Sequence, residues 1–420
     1  METRKYNIRN VRLISTKKQI DISNIFVEIN LFEDIFSPTI SGNIAIQETD
    51  NLPSTFPILG GEYIVIEMEV PTIIDHETNE KRIFEINFVG RITRVQAQKM
   101  MNTGGLRYVI SFTAPETIDN FKYRISKSFK NIPYSEIAEY AFSVMESKSK
   151  FVKESSKNSD HVIIPGWTPI KTINWCAARA IQTSSPVSQS NSTFLFFQNL
   201  YYSDDQFQTG KPTFKFVSID SLLSKNIKKY IYNFPITHRK TYDPLRYVVT
   251  ETFEVVHSFD FLKNIHQGLY AGSYLEHDLI TKSFRRNSFD YRKNFNEFAH
   301  TNQVPHISDD NELNEYRGVS VYHTSFENKQ FYTKLLRLHQ LLILDNYVLK
   351  MSIPGDAFLC AGDIVHFAMP NISKTDTTKF DPLYSGKYLI TSICHSFSTE
   401  DYKMNIQCAK ETLRGTQDNE

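Results

Sequence analysis

The sequence predicts a mainly β chain with an α+β insertion, in which two similar antiparallel β-barrels flank a mixed middle domain. Three observations carry this. Aromatics make up 13% of the 420 residues, led by 31 Phe and 22 Tyr, and these residues favour the pleated, half-buried surface of a strand. Short runs with period-2 alternation, separated by turn residues, crowd both ends of the chain. The two ends also repeat each other's landmarks in order and spacing.

In the first region, Ile20, Ile22, Phe26 and Ile29 mark one extended segment, and Ile40, Ile44 and Ile46 another around Gly42. Gly60 and Gly61 turn the chain into residues 63–70, which Pro71 ends. Phe84, Ile86 and Phe88 alternate with Glu85 and Asn87, as a strand with one buried face requires. Residues 90–95 and 106–112 flank a turn at 102–105 and read as a hairpin.

From about Ala114 the period changes. Ile137, Ala141 and Met145 share one helical face after Pro133, and Thr168-Pro169 is a helix start followed by Ile170, Ile173, Ala177 and Ile181. Residues 148–160 and 183–193 are polar loops, and strands resume at 194–197 and 214–217. The aromatic-rich stretch 243–298 reads as strands and turns, and 300–318 as a loop. Phe331, Leu335, Leu338 and Leu342 give the stripe of a further helix. Strands then return at 348–353, 362–369, 386–393 and 401–408.

Residues 61–71 (GEYIVIEMEVP) correspond to 362–370 (GDIVHFAMP). Each copy continues through a polar insert to a glycine and a base, Gly90-Arg91 or Gly386-Lys387. Each then exits a hairpin through Ala114-Pro115-Glu116 or Ala409-Lys410-Glu411. Two antiparallel units that share turn glycines by chance are the alternative. Preserved order and spacing favour duplication.

Composition excludes several function classes. Lys plus Arg equals Asp plus Glu at 47 each, which argues against a protein built mainly to grip nucleic acid or an anionic membrane. The N-terminus lacks an apolar signal segment, and no run approaches the ~20 apolar residues of a membrane span. Cys176, Cys360, Cys394 and Cys408 are too few for a disulfide scaffold and fit a reducing compartment. Buried free thiols are expected, with Cys394 facing Cys408 across a hairpin as the alternative. The sequons at Asn191 and Asn371 carry no weight alone.

Catalytic signatures are missing. Gly386-Lys387 lacks the phosphate-loop pattern, and Gly268 to Gly272 lacks the dinucleotide spacing. His257, His266 and His277 are too irregularly spaced for a zinc site. Asp278 and Asp290 are candidates for paired carboxylates, with turn capping as the competing role. Trp167 and Trp175 are candidates for stacking a sugar or base, against core packing beside a helix. No catalytic, cofactor-binding or metal residues are assigned, and no enzyme activity is expected.

Four segments together carry a resemblance: residues 35–42 (IFSPTISG), 175–179 (WCAAR), 289–291 (FDY) and 383–390 (LYSGKYLI). In this order, over roughly residues 10–411, the chain resembles the central baseplate hub proteins of contractile phage tails. The resemblance implies two tube-like barrels per chain, at 1–113 and at 206–249 plus about 319–411. The α+β middle would comprise 114–205 plus about 250–318, and 412–420 a flexible tail.

It also implies a homotrimeric ring in the virion baseplate, assembled in the bacterial host cytoplasm, that adapts a sixfold tail tube to a threefold spike. The partners would be the tail tube protein, the central spike protein and other baseplate components. DNA would pass through the lumen without specific binding, and no membrane insertion is expected. A receptor- or glycan-binding tail protein is the alternative, and a cell-wall hydrolase a more distant one. No segment resembles a lysozyme or a needle-like β-helix, so a spike would be a separate chain.

Overall fold

The computed structural model describes residues 6–50, 52–74, 81–101, 104–157, 159–183, 193–200, 202–203, 208–209, 212–233, 247–305, 319–324, 332–370, 380–381, 383–399 and 401–413. Both sequon asparagines, residues 184–192 of the loop 183–193, most of the loop 300–318, and Phe331 lie outside them.

The first unit is built from β1 (Asn7–Ile14), β2 (Gln19–Asp21), β3 (Phe26–Asp34), β4 (Ser41–Glu48), β5 (Tyr63–Ile74), β6 (Lys81–Met100) and β7 (Leu106–Thr113), with the short α1 (Leu52–Thr55). Alternation sets which face is buried. In β4, Ile44 and Ile46 point inward; in β5, Ile64, Ile66, Met68 and Val70 do so. Each such side chain contributes about 1.5–3 kcal/mol on burial. Phe84–Phe88 and the segment after Gly90, expected as separate strands, are one 20-residue strand, β6.

The middle begins with α2 (Pro115–Asp119), β8 (Ile125–Pro133), α3 (Tyr134–Val144), β9 (Lys150–Lys153), β10 (Ser159–Trp167) and α4 (Pro169–Ala177). It continues with β11 (Phe194–Asn199), β12 (Tyr202–Ser203), β13 (Gln208–Thr209), β14 (Thr213–Ser218) and α5 (Ile219–Leu223). As expected, Ile137, Ala141 and Met145 are buried, as are Ile170, Ile173 and Ala177. They pack with Phe129, Phe194, Phe196, Phe214 and Phe216 into one core.

Next come β15 (Ile227–Tyr232), β16 (Tyr247–Val249), β17 (Thr252–His257), α6 (Phe261–Gln267), β18 (Ala271–Asp278), β19 (Ser283–Asp290), α7 (Tyr291–Asn294), β20 (Val304–Pro305) and β21 (Val319–Thr324). Stretch 243–298 was expected to hold strands and turns only. It contains two helices, because Asp260 accepts from the Lys263 N–H as an N-cap and Gly268 ends α6 at φ +80°. The chain closes with α8 (Tyr332–Leu344), β22 (Val348–Pro354), β23 (Ile364–Ala368), β24 (Gly386–Ser398), β25 (Tyr402–Ala409) and β26 (Thr412–Leu413). Thr412 and Leu413, expected in a flexible tail, pair with Val304 and Pro305.

The helix near 331–342 exists, but its buried face is Leu336, His339, Gln340 and Ile343, with Leu338 and Leu342 only partly covered. The inward polar groups are satisfied. His339 Nδ1–H donates to the Leu269 carbonyl at 2.8 Å. Gln340 accepts from the Thr193 N–H at 2.7 Å and donates to Asp220 at 2.9 Å. A polar stripe that closes its own hydrogen bonds is invisible to an apolar periodicity.

The two end regions form one 14-stranded sheet. The first unit runs β3-β4-β7-β6-β5-β1 and the second β17-β22-β25-β24-β23-β15, the same order of corresponding strands. The second is not wholly antiparallel, since β15 runs parallel to both β23 and β16. The duplication is therefore present in the topology.

Its landmarks need one correction. Gly61 and Gly362 are equivalent: they have φ +85° and +86°, and each N–H donates at 2.8 Å, to the carbonyls of Ile92 and Ile390 respectively. Gly90 and Gly386 are not, since Gly90 stands opposite Ile64 and Gly386 opposite Phe367. The true correspondence is Ile92-Thr93 with Ile390-Thr391. A register irregularity lies between Ile92 and Arg94 in one unit and between Ile390 and Ser392 in the other. At each, the threonine hydroxyl donates at 3.1 Å to a carbonyl on the neighbouring strand, Ser111 or Gln407.

Among the described residues no helix is long and apolar enough to cross a membrane.

Candidate assembly interface

The two units meet where β3 of the first pairs antiparallel with the second half of β24, from Ser392 opposite Asp34 to Ser398 opposite Glu28. Ile29, Leu31 and Phe397 are fully buried in the core that both units share. On the opposite face, Ser396 donates to Glu28 at 2.9 Å, and the Asn30 amide donates to Glu28 at 3.1 Å and to Asn43 at 3.2 Å.

Glu33, 1% exposed, ties this junction to the middle of the chain. One carboxylate oxygen accepts from the Asn199 amide and the Ala361 N–H, both at 2.9 Å; the other accepts from the Leu200 N–H at 2.6 Å. His395 on β24 lies 3.8 Å away, too long for a hydrogen bond but close enough for an ionic contact. Burial pushes the Glu33 pKa up, yet His395 and the two backbone N–H groups outweigh it and hold the carboxyl below its usual range. Residues 35–42 start beside it: the Ile35 N–H donates to Thr391 O at 3.0 Å and the Ile40 N–H to the Gln198 side chain at 3.0 Å. A cleft of about 560 Å³ opens on the outward face of the junction, lined by Phe32, Asp34, Glu254, Lys350, Cys394 and Asn405 among others.

A buried ion pair holds β15, the strand next to the far edge of unit two. Lys229 on β15 and Asp356 after β22 approach to 2.9 Å at 2% and 0% side-chain exposure.

The sequence-derived candidates for chemistry are dispersed. Asp278 and Asp290 stand at opposite ends of the β18–β19 hairpin, opposite Ser283 and Ala271. Seven residue steps along a strand separate them by roughly 23 Å, far beyond a carboxylate pair's ~5–9.5 Å. Asp278 caps a turn through the N–H groups of Ile280 and Thr281, and the Thr281 hydroxyl first, then these N–H groups, lower its pKa. Asp290 caps α7. Trp167 and Trp175 are half-buried in an edge-on pair 5.6 Å apart, with Lys171 over one ring and Arg179 over the other. A cation thus already covers one face of each ring.

No group of three or more His, Cys, Asp or Glu that fits a metal occurs among the described residues, so His257, His266 and His277 are not brought together. All four cysteines are free. Cys394 stands opposite Asn405 and Cys408 opposite Ile390, so these two do not face each other. Sequence reading missed Glu33, Lys229 and Asp356; an acid between Phe32 and Asp34 in a strand carries no signal that it is a buried tie-point.

No family model and no curated protein matches the chain. Solved structures share its fold. A tail protein from Neisseria meningitidis MC58 is 10% identical and superposes over 97% of each chain with a TM-score of 0.54. The 43 kDa tail protein of prophage MuSo2 from Shewanella oneidensis is 12% identical over 97% of this chain and 99% of its own, with a TM-score of 0.54.

Proposed function

We propose that this chain is a structural hub of a contractile-tail baseplate. Three copies close into a ring whose six similar units seat a sixfold tail tube and whose threefold face seats a central spike protein. The carrying observation is the duplicated strand order joined in-chain through β3 and β24. Two similar units per chain are what a threefold ring needs to meet a sixfold partner, and head-to-tail contacts close into rings when the rotation permits. Full-length likeness to two tail proteins supports the same reading.

In this role the chain performs no catalysis, and the dispersal of Asp278 and Asp290 agrees with that. The ring would sit in the virion baseplate among other baseplate components, after assembly in the bacterial cytoplasm. DNA would leave through its lumen, and a zero formal net charge suits a channel that must release its cargo.

The test is mass photometry across a concentration range, followed by low-resolution imaging. A trimeric torus is expected. A protein that stays monomeric at the highest concentration removes the reading.

A further inference from the structure

The in-chain junction joins two different edges, β3 of unit one and the second half of β24 in unit two. Each edge has a counterpart in the other unit. The counterpart of β3 is β17, which among the described residues pairs only with β22. The counterpart of the second half of β24 is residues 94–100 of β6, which pair only with β7. Each chain therefore leaves one strand edge of each kind without a strand partner among its described residues. Such edges are templates for another chain.

We propose that β17 of one protomer pairs antiparallel with residues 94–100 of β6 in the next, reproducing the β3–β24 junction between subunits. This rests on the ring reading above.

The register follows from the duplication. Ile92 and Ile390 are equivalent, and they stand opposite Phe112 and Cys408. Those two in turn stand opposite Gly42 and Leu349. Stepping along these ladders, Glu254 takes the place of Asn30 and Phe253 that of Ile29. Counted by their partners on β7 and β25, past an irregularity between Gln96 and Lys99 that β24 lacks, Lys99 takes the place of Ser396 and Met100 that of Phe397. Because Asn30 faces Ser396 and Ile29 faces Phe397 in the chain, Lys99 would face Glu254 and Met100 would face Phe253 between chains.

Both pairs are chemically matched. Lys99 and Glu254 are exposed and opposite in charge, a favourable cross-strand combination. Met100 is 79% exposed whereas its counterpart Phe397 is fully buried. Docking against Phe253 would give this thioether the cover that Ile29 gives Phe397. A second copy is thus the occupant that the chain's own construction specifies.

The experiment is disulfide trapping in the full-length protein, with wild-type mass measured in parallel. The double variant Lys99→Cys/Glu254→Cys should give a ladder of covalent dimers and trimers on oxidation. Neither single variant should, and Lys99→Cys/Thr252→Cys, two residues out of register, should trap far less. A wild-type trimer whose double variant gives no ladder overturns this pairing and leaves the ring reading standing. Dimers from Glu254→Cys alone overturn it in favour of a symmetric β17 contact. A monomeric wild type overturns both. Should the cysteine variants misfold, charge reversal replaces them: Glu254→Lys and Lys99→Glu should each weaken the trimer about tenfold or more. The double reversal should restore it, and failure to restore overturns the pairing.

Discussion

Gly42 stands directly opposite Phe112, and the phenyl ring fills the space a side chain at position 42 would need. A Cβ there would lie 2.5 Å from the ring and 2.6 Å from the Asn30 carbonyl. At the corresponding place in unit two, Leu349 stands opposite Cys408. One unit puts its volume on one strand, the other on the partner strand. Gly42→Ala is therefore expected to cost roughly 1–3 kcal/mol through overpacking, read as a lower midpoint in urea unfolding. Leu349→Ala should cost about 2–5 kcal/mol through the cavity it opens.

Glu33 accepts three donors drawn from Asn199, Leu200 and Ala361. Gln in its place keeps the shape but turns one acceptor into a donor that faces other donors. Glu33→Gln is expected to destabilise by about 2–3 kcal/mol at neutral pH. The sign with pH follows from the lowered folded pKa. The carboxylate's contribution is fully present above the reference value of 4.5 and is lost as pH falls through the folded value. Denaturant titrations between pH 5 and 2 should show this acid loss in the wild type and a shallower one in the variant.

How much could be read from the sequence follows the same physics. Alternation and turn residues together revealed β3 to β7 and β22 to β25, because each has one face in the shared core, whereas β1 and β15 were not read as strands and β2 was merged with β3. Gly61 and Gly362 marked the duplication correctly, since both need a left-handed backbone. Gly90 and Gly386 misled because each is a local accommodation. A side chain at position 90 would meet Phe112 at 2.9 Å, whereas Gly386 adopts φ +136° at the start of its strand. The true marker, Ile-Thr at 92–93 and 390–391, is two common residues whose meaning lies in a bulge. In α8 the period was right and the face wrong, because His339 and Gln340 are buried by hydrogen bonding. The junction itself was illegible: pairing of β3 with β24 spans more than 350 residues and leaves no local pattern.

Lys229 and Asp356 form an ion pair with almost no solvent contact. Removing one partner leaves an uncompensated buried charge, so Lys229→Met is expected to cost roughly 3–5 kcal/mol. Replacing both, as Lys229→Met with Asp356→Leu, should recover most of the loss. A double-mutant cycle by chemical denaturation checks this, and additive single effects would contradict it. β15 takes the place of β1 but runs parallel to its neighbours, so this pair anchors a strand whose direction the duplication does not explain.

His339 gives the last prediction. It is packed among Phe289, Tyr291 and Phe298, and its Nδ1–H is committed to Leu269. Burial lowers its pKa from 6.5 to about 4, helped by the nearby charge of His300. The native state thus requires the neutral ring. Stability is fully present above about pH 6.5 and is lost as pH falls towards 4, by up to about 3 kcal/mol for the whole interval. His300 works in the opposite sense. Burial lowers its pKa, but Glu411 at 2.8 Å and the Phe295 carbonyl at 2.7 Å prevail and raise it. Its contribution is present below 6.5 and lost as pH rises through the folded value. His339→Phe should therefore flatten the stability profile between pH 6.5 and 4, while Glu411→Gln should flatten it above 6.5. The two limbs are separable by denaturant midpoints measured at half-unit pH steps, and a profile unchanged by His339→Phe would contradict the assignment.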